Sequence, residues 1–477
     1  MENSVVKVNK LALSISAALI LGTVGSAQAA TKSNTQQQQV ADLQAQVAQL
    51  QQLVQQLSSQ QQQLAGQQSQ LSGQQQQQAV QLQQQAIQSL EKPAIAPKEA
   101  SAKPGWIALA DGQTQLKIYG SARVDSTYDF AGSNAATTDV YNRTNKVPLN
   151  SANAPKGALN VSAANSRIGL DILRPTSYGD LTAKIEADFM GSSYTNGNGS
   201  FRVRHAYMSL DKWLVGQTDS PFVNVDTTPE VVDPNGPMGS GSQRTVQVRY
   251  TQPITKNQKV LVAVEGGDVD NFSGTSQTSG GGRLPALTAR YDIATADKKG
   301  LLQVHGLLHE NRVATATNDS NDKEGLGWGV GVGAKYSLTP NDTLFANYYH
   351  AKGDGRYMLY SNSAYVATAN GTSYNINPSE FNSALVGYGH KWNSEWRSGL
   401  AAGGIWYNDT NAYAKSSGSA NKTQYNIILN TFYTPVKNVD IGAEYTYGQR
   451  QTFAASTATT SDKGDYSRLN LMAKYSF

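Results

Sequence analysis

From Leu116 to Phe477 apolar and polar side chains alternate with a period of two. In the first such segment Leu116, Ile118, Ala122 and Val124 share one face, and Lys117, Tyr119, Ser121, Arg123 and Asp125 share the other. The last segment sets Leu469, Leu471, Ala473, Tyr475 and Phe477 against Arg468, Asn470 and Lys474. Successive side chains of a strand point to opposite faces, so each segment meets an apolar medium on one side and a polar one on the other. The same test predicts strands over 164–174, 180–190, 201–211, 213–218, 243–252, 257–266, 284–293, 300–310, 326–337, 342–351, 380–391, 394–407, 422–433 and 437–450. With 116–130 and 465–477 at the two ends, the count is sixteen. Short turns such as Thr339-Pro340-Asn341-Asp342 and Trp392-Asn393 alternate with long loops at 131–160, 191–200, 219–242, 267–283, 311–325, 352–379, 408–421 and 451–464. Aromatic residues collect at strand ends: Tyr128, Trp213, Trp328, Tyr336, Tyr348, Tyr349, Trp392, Trp396, Trp406, Tyr407, Tyr433, Tyr445 and Tyr475. An even strand number, turns and loops sorted to opposite ends, and aromatic girdles predict an all-β transmembrane barrel of 16 antiparallel strands, its short turns in the periplasm.

Ahead of the barrel the pattern changes twice. Lys7 and Lys10, the apolar run Leu11 to Val24 and the sequence Ser26-Ala27-Gln28-Ala29-Ala30 predict a signal peptide over 1–29. Over 36–90 the chain is rich in Gln, and Val40, Leu43, Val47, Leu50, Val54, Leu57, Leu64 and Leu71 fall on one narrow seam. Such a seam predicts an α-helical coiled coil, which must bury against copies of itself and so implies an oligomer of open stoichiometry. Gly66 and Gly73 and the core glutamines weaken it, and a disordered Gln-rich tract is the alternative. Pro93, Pro97 and Pro104 mark 91–112 as a linker, with the barrel domain at 113–477.

Composition narrows the chemistry. Only 16% of residues are charged and the formal net charge is +4, too small a balance for a nucleic-acid partner. There is no cysteine, so neither thiol catalysis nor a Cys-held metal is expected, and no cofactor motif is present. A barrel enzyme would need a base beside a nucleophile. His305 and His309 share a face but lie roughly 13 Å apart along a strand, with no nucleophile motif nearby.

Strand parity aims eight arginines at the polar interior: Arg123, Arg167, Arg202, Arg204, Arg249, Arg290, Arg397 and Arg468. Facing lipid instead, each would cost about 2–4 kcal/mol near the midplane. Arg202 and Arg204 are read as alternating with Phe201, Val203 and Tyr207 on the outer face. Pairing with Asp125, Asp171, Glu186 or Asp188 would account for single arginines, but the eight are expected to outnumber their close partners. The loop 219–242 is stiffened by Pro221, Pro229, Pro234 and Pro237 and carries Asp219, Asp226, Glu230 and Asp233. Acids on one side and arginines on the other would set a transverse field across a pore, and an arginine ladder favours anions. A calcium-binding loop is the competing reading, although the acids lack EF-hand spacing.

The terminal Lys474-Tyr475-Ser476-Phe477, Ile118-Tyr119-Gly120 in the first strand and Arg204-His205-Ala206-Tyr207 resemble general porins of Gram-negative bacteria. A porin barrel preceded by a Gln-rich coiled coil is similar to the DcaP-type porins of Acinetobacter and relatives, which handle dicarboxylates. The resemblance implies a homotrimer in outer-membrane lipid and lipopolysaccharide, with the helical segment in the periplasm. It also implies passive passage of small anionic solutes past an inward-folded constriction loop, for which 219–242 has the matching position. A sugar-specific porin with a periplasmic coiled coil would need an inward aromatic ladder. An adhesin or structural barrel tethered through the rod, touching peptidoglycan, is the third reading.

Overall fold

A computed structural model of the chain describes residues 103–477 apart from 133–140, 142, 151–155, 192–198, 267–271, 274–277, 281–282, 316–322, 372 and 455–460. It also describes Gln52, Gln55, Gln56 and Ser59, which are helical and exposed. The expected signal peptide, the rest of the expected coiled coil and most of the linker lie outside the described residues.

The sixteen expected strands are all present. They are β1 (Gln115–Ala131), β2 (Arg167–Thr176), β3 (Gly179–Asp188), β4 (Arg202–Leu210), β5 (Trp213–Asp219), β6 (Arg244–Thr255), β7 (Gln258–Glu265) and β8 (Ala286–Ala294). There follow β9 (Gly300–Thr315), β10 (Lys323–Ser337), β11 (Asp342–Lys352), β12 (Glu380–Lys391), β13 (Trp396–Tyr407), β14 (Asn421–Tyr433), β15 (Val439–Thr452) and β16 (Lys463–Ser476). Each pairs antiparallel with the next. The ring closes where β16 pairs with β1, and Gly120 and Phe477 exchange two backbone hydrogen bonds of 3.0 Å. Closure leaves no sheet edge, the condition for strands to cross a bilayer. The hairpin Ile107–Ala108 folds back onto Leu116 and Gln115 around Asp111. The Thr114 hydroxyl and the backbone N–H groups of Thr114 and Gln113 hold that carboxyl at about 2. Helix among the described barrel residues is confined to single turns at Thr144–Lys146, Val225–Thr227 and Ala412–Ser416.

Parity has the expected sense. On β1 Val124 and Phe130 are each 48% exposed, whereas Asp125, Thr127 and Asp129 between them are buried. Trp213, Tyr336, Trp392, Trp396 and Tyr475 are exposed beside the short turns, as a girdle requires. Two expected girdle members are not there. Tyr349 and Tyr407 take the inward parity of β11 and β13 and are buried inside the ring. A second correction comes from a bulge. Pairing of β3 with β4 shifts between Glu186/His205 and Ala187/Val203, so Arg204 and His205 both lean inward and Tyr207 follows them. An extra residue in one strand reverses everything beyond it, and Tyr207 therefore faces the lumen, not the lipid.

Two segments fill part of the ring from within. Residues 220–243 and 353–364 are joined by Ser242 N–H to Tyr357 O and Leu359 N–H to Ser240 O, both 2.9 Å. Between them and the wall lies an apolar cluster of Phe222, Val223, Met238, Leu307, Tyr349, Tyr357, Met358, Phe381, Ile405 and Tyr407. Large inward rings are accommodated by glycines directly opposite, as with Tyr349 and Gly331. A Cβ on Gly331 would overlap the Tyr349 ring. Gly331→Val should therefore expel Tyr349 and cost about 1–3 kcal/mol of overpacking strain. The expected result is a lowered unfolding temperature in detergent, with the far-ultraviolet strand signal retained.

Candidate functional site

The segment 220–242 lies on the polar inner faces of strands drawn from around the ring, and the wall is cut to receive it. Phe222 rests on Gly329, Thr227 on Gly333, Pro229 on Gly387, Met238 O on Gly403 and Val232 on Gly442; in each place a Cβ would overlap the loop. Inward asparagines supply both a donor and an acceptor to an irregular backbone. Asn347 donates to Thr227 O (2.8 Å) and accepts from its hydroxyl (2.7 Å). Asn426 accepts from Met238 N–H (2.9 Å), and Asn430 donates to Glu230 O (3.0 Å). The buried Glu444 carboxylate accepts the N–H of Val232 (2.6 Å) and of Asp233 (3.1 Å). From β1, Arg123 Nη2 donates to Val232 O at 2.6 Å. At the other end Glu265 takes hydroxyls from Ser220 (2.6 Å), Thr288 (2.7 Å) and Tyr357 (2.8 Å). Burial and the Glu265 charge push the Tyr357 phenol up.

The eight arginines all point into the ring, but they do not form a ladder of bare charge. Arg123 holds Asp125 through Nη2 (2.6 Å) and Nε (2.9 Å). Arg202 meets Asp188 at 2.6 Å, and Arg204 meets Glu186 at 2.7 Å and Asp188 at 3.0 Å. Arg290 lies 2.9 Å from Asp292 and 3.5 Å from Asp226. Arg397 grips both oxygens of Glu230 at 2.8 Å and reaches Asp440 at 3.2 Å. Arg468 is sealed at 2% exposure, 2.5 Å from Asp129 and 3.7 Å from Asp233. Among the described residues Arg167 has a carboxylate only at 3.9 Å, on Glu186. Arg249 has no carboxylate within 4.0 Å among the described residues, and its buried Nε has no partner.

Two expectations are thus corrected. The arginines do not outnumber their partners, because inward residues two apart or directly across are neighbours and opposite charges pair locally. Nor do the loop acids stand across a gap from the arginines: Asp226, Glu230 and Asp233 touch Arg290, Arg397 and Arg468, and Asp219 lies 3.7 Å from Arg244. Arg468 is part of the loop's seat and not of an open passage. Arg244, Glu444, Glu265 and Lys391 are inner-face residues that the sequence reading passed over. Glu444 had a signal, since Ala443 and Tyr445 flank it with outward parity and no cation accompanies it. The wall formed by β1 to β3 is charged. Tyr119 there donates to Glu186 (3.0 Å) and accepts from Lys184 (2.8 Å), which pairs with Asp171 at 2.8 Å.

A closed sixteen-stranded barrel with an apolar belt outside and a charged polar interior defines an outer-membrane channel of the porin class. The DcaP outer membrane protein family matches residues 32–477, and this chain belongs to that family. Among solved structures, the outer membrane channel DcaP of Acinetobacter baumannii is 32% identical, covering 76% of this chain and 98% of its own, with a TM-score of 0.68. Salmonella typhi OmpF, in complex with daunomycin, is 12% identical over 78% of this chain and 100% of its own, with a TM-score of 0.49. OmpT of Vibrio cholerae is 11% identical over 76% and 98%, with a TM-score of 0.46. No curated protein matches. The family and the Acinetobacter relative are outer-membrane channels, and the chain is a channel and not an enzyme.

Proposed function

We propose that this channel passes small anionic solutes, dicarboxylates above all, down their gradients through a constriction between the loop 219–242 and the arginine-bearing wall. The observation that carries the reading is the unequal occupancy of the guanidiniums. Arg249 has no carboxylate of its own among the described residues and Arg167 only a distant one, so both keep donors for a passing anion. A guanidinium takes a carboxylate through two parallel N–H bonds, which a lysine cannot do. The loop's contacts with Arg123, Asn347, Asn426 and Glu444 support its part as the narrowing element. Reversal potentials across a planar bilayer under a salt gradient should show anion preference, and succinate should interrupt the current. Arg249→Ala should weaken that block by roughly tenfold or more, the worth of a charge-assisted hydrogen bond. Cation preference, or a block indifferent to Arg249 and Arg167, would remove the substrate assignment.

The segment 36–90 is proposed to hold three copies together as a periplasmic coiled coil. Deleting residues 31–100 should then reduce the trimer fraction in native mass measurements and leave the conductance of each pore unchanged.

A further inference from the structure

Thr343, Gly389, Gly399 and Asn430 form one inward row across β11 to β14, since each is the direct partner of the next. The row on one side carries Phe345, Gly387 and Ala401, and the row on the other carries Lys391, Arg397 and Phe432. Pro229 of the loop fills the space over Gly387, but over Gly389 a Cβ would meet only the edge of Phe345, at 3.9 Å. Gly389, beside a Gly399 that the Asn430 side chain covers, thus leaves a small open patch of backbone. Above it is a cavity of about 270 Å³ at the short-turn end of the ring, overhung by Pro229 and Glu230.

Three features give this niche a chemical preference. Phe345 supplies an apolar face suited to a flat ring, whereas Phe432 at the opposite corner is buried beneath Arg397. Lys391 makes no ion pair among the described residues, whereas Arg397 beside it is spent on Glu230, Thr434 and Asp440 and lies over Phe432, 4.5 Å from its centroid. Asn430 is a buried amide whose Nδ2 is committed to Glu230 O and, at 3.3 Å, to Glu444. Those two acceptors fix its orientation, and its Oδ1 is left without a partner. That oxygen hangs over Gly399, 2.8 Å from where a Cβ would stand, at the border of the open patch over Gly389. A buried acceptor without a donor is costly, and a ligand hydroxyl can supply one.

We propose that the niche is a second solute subsite, between the loop and the short-turn mouth, for a hydroxylated aromatic carboxylate. The ring lies on Gly389 against Phe345, the carboxylate faces the Lys391 ammonium, and the hydroxyl donates to Asn430 Oδ1. The subsite requires only that the barrel conducts and does not depend on a preference for dicarboxylates.

Single-channel current of the full-length protein, recorded with 4-hydroxybenzoate, 4-methoxybenzoate or acetate, tests this. Interruptions by 4-hydroxybenzoate should last about threefold to tenfold longer than those by 4-methoxybenzoate, which has the ring and the charge but no donor. Acetate, without a ring, should give none. Gly389→Leu, which fills the open patch, should erase the difference between the two aromatics. Lys391→Gln should shorten both dwell times and serves as a second variant if the first does not insert. Equal dwell times for the two aromatics, a difference that persists in Gly389→Leu, or dwell times unchanged in Lys391→Gln would overturn the subsite. Succinate in the same recordings separates the two readings. Succinate block without a hydroxyl effect removes the niche alone, and a hydroxyl effect without succinate block keeps the niche and removes the dicarboxylate assignment.

Discussion

Glu444→Ala should give a channel with a larger and noisier single-channel conductance than the parent. The carboxylate is 1% exposed and is the shared acceptor for the backbone N–H groups of Val232 and Asp233 and for Asn430 Nδ2. Bonds to a charged acceptor are worth about 1.5–3 kcal/mol each, and donors left unmade in a buried place cost about 1–3 kcal/mol. One effect opposes this, because Glu444 lies near the carboxylate of Asp233 and its removal relieves repulsion. That relief is the smaller term, since Arg468 at 3.7 Å and Asn470 at 3.3 Å already face Asp233. The middle of the loop therefore loses its fastening and the passage widens. Glu444→Gln, which keeps one acceptor, should fall between the two. Unchanged conductance and noise in Glu444→Ala would mean that the loop is held from elsewhere.

Phe222→Ala should have the larger effect on stability. Phe222 is fully buried, edge-on to Tyr349 at 5.4 Å and Tyr357 at 5.5 Å, and sits in the gap above Gly329. Its truncation leaves a cavity at the junction of both inner segments, a loss of about 3–5 kcal/mol. The loss falls on the filling and not on the ring, whose strand pairing does not involve Phe222. Strand content should persist in detergent while protease nicks the chain within 220–243 and 353–364 at a rate the parent does not show. A variant as resistant as the parent would refute Phe222 as the anchor of the lumenal filling.

The ring was legible in the sequence because lipid demands one apolar residue in two, and that demand leaves few competing readings. The lumenal filling was not, and the reason lies in the same alternation. At the long-loop ends of β11 and β13 the inner face is itself apolar, so Tyr349 and Tyr407 satisfy a girdle pattern as well as a core pattern. Which applies depends on what covers them, and much of the covering chain comes from 220–243, far away in sequence. The bulge at Arg204 and His205 was hidden for a related reason, since only the partner strand reveals an extra residue. Inward placement of the arginines followed from parity, but their pairing did not. Parity gives a direction and not a rotamer, so the grip of Arg397 on Glu230, 167 positions away, had no signature along the chain.

The fastening of the loop also dictates an order of events during biogenesis. Its middle is held by Arg123, 109 positions earlier, and by Glu444 and Asn470, 212 and 237 positions later. Contacts so remote form only after the entropy of closing the intervening chain has been overcome. The seat of the loop is not complete until the first and last strands have met. The bore therefore reaches its final width only once the ring has closed.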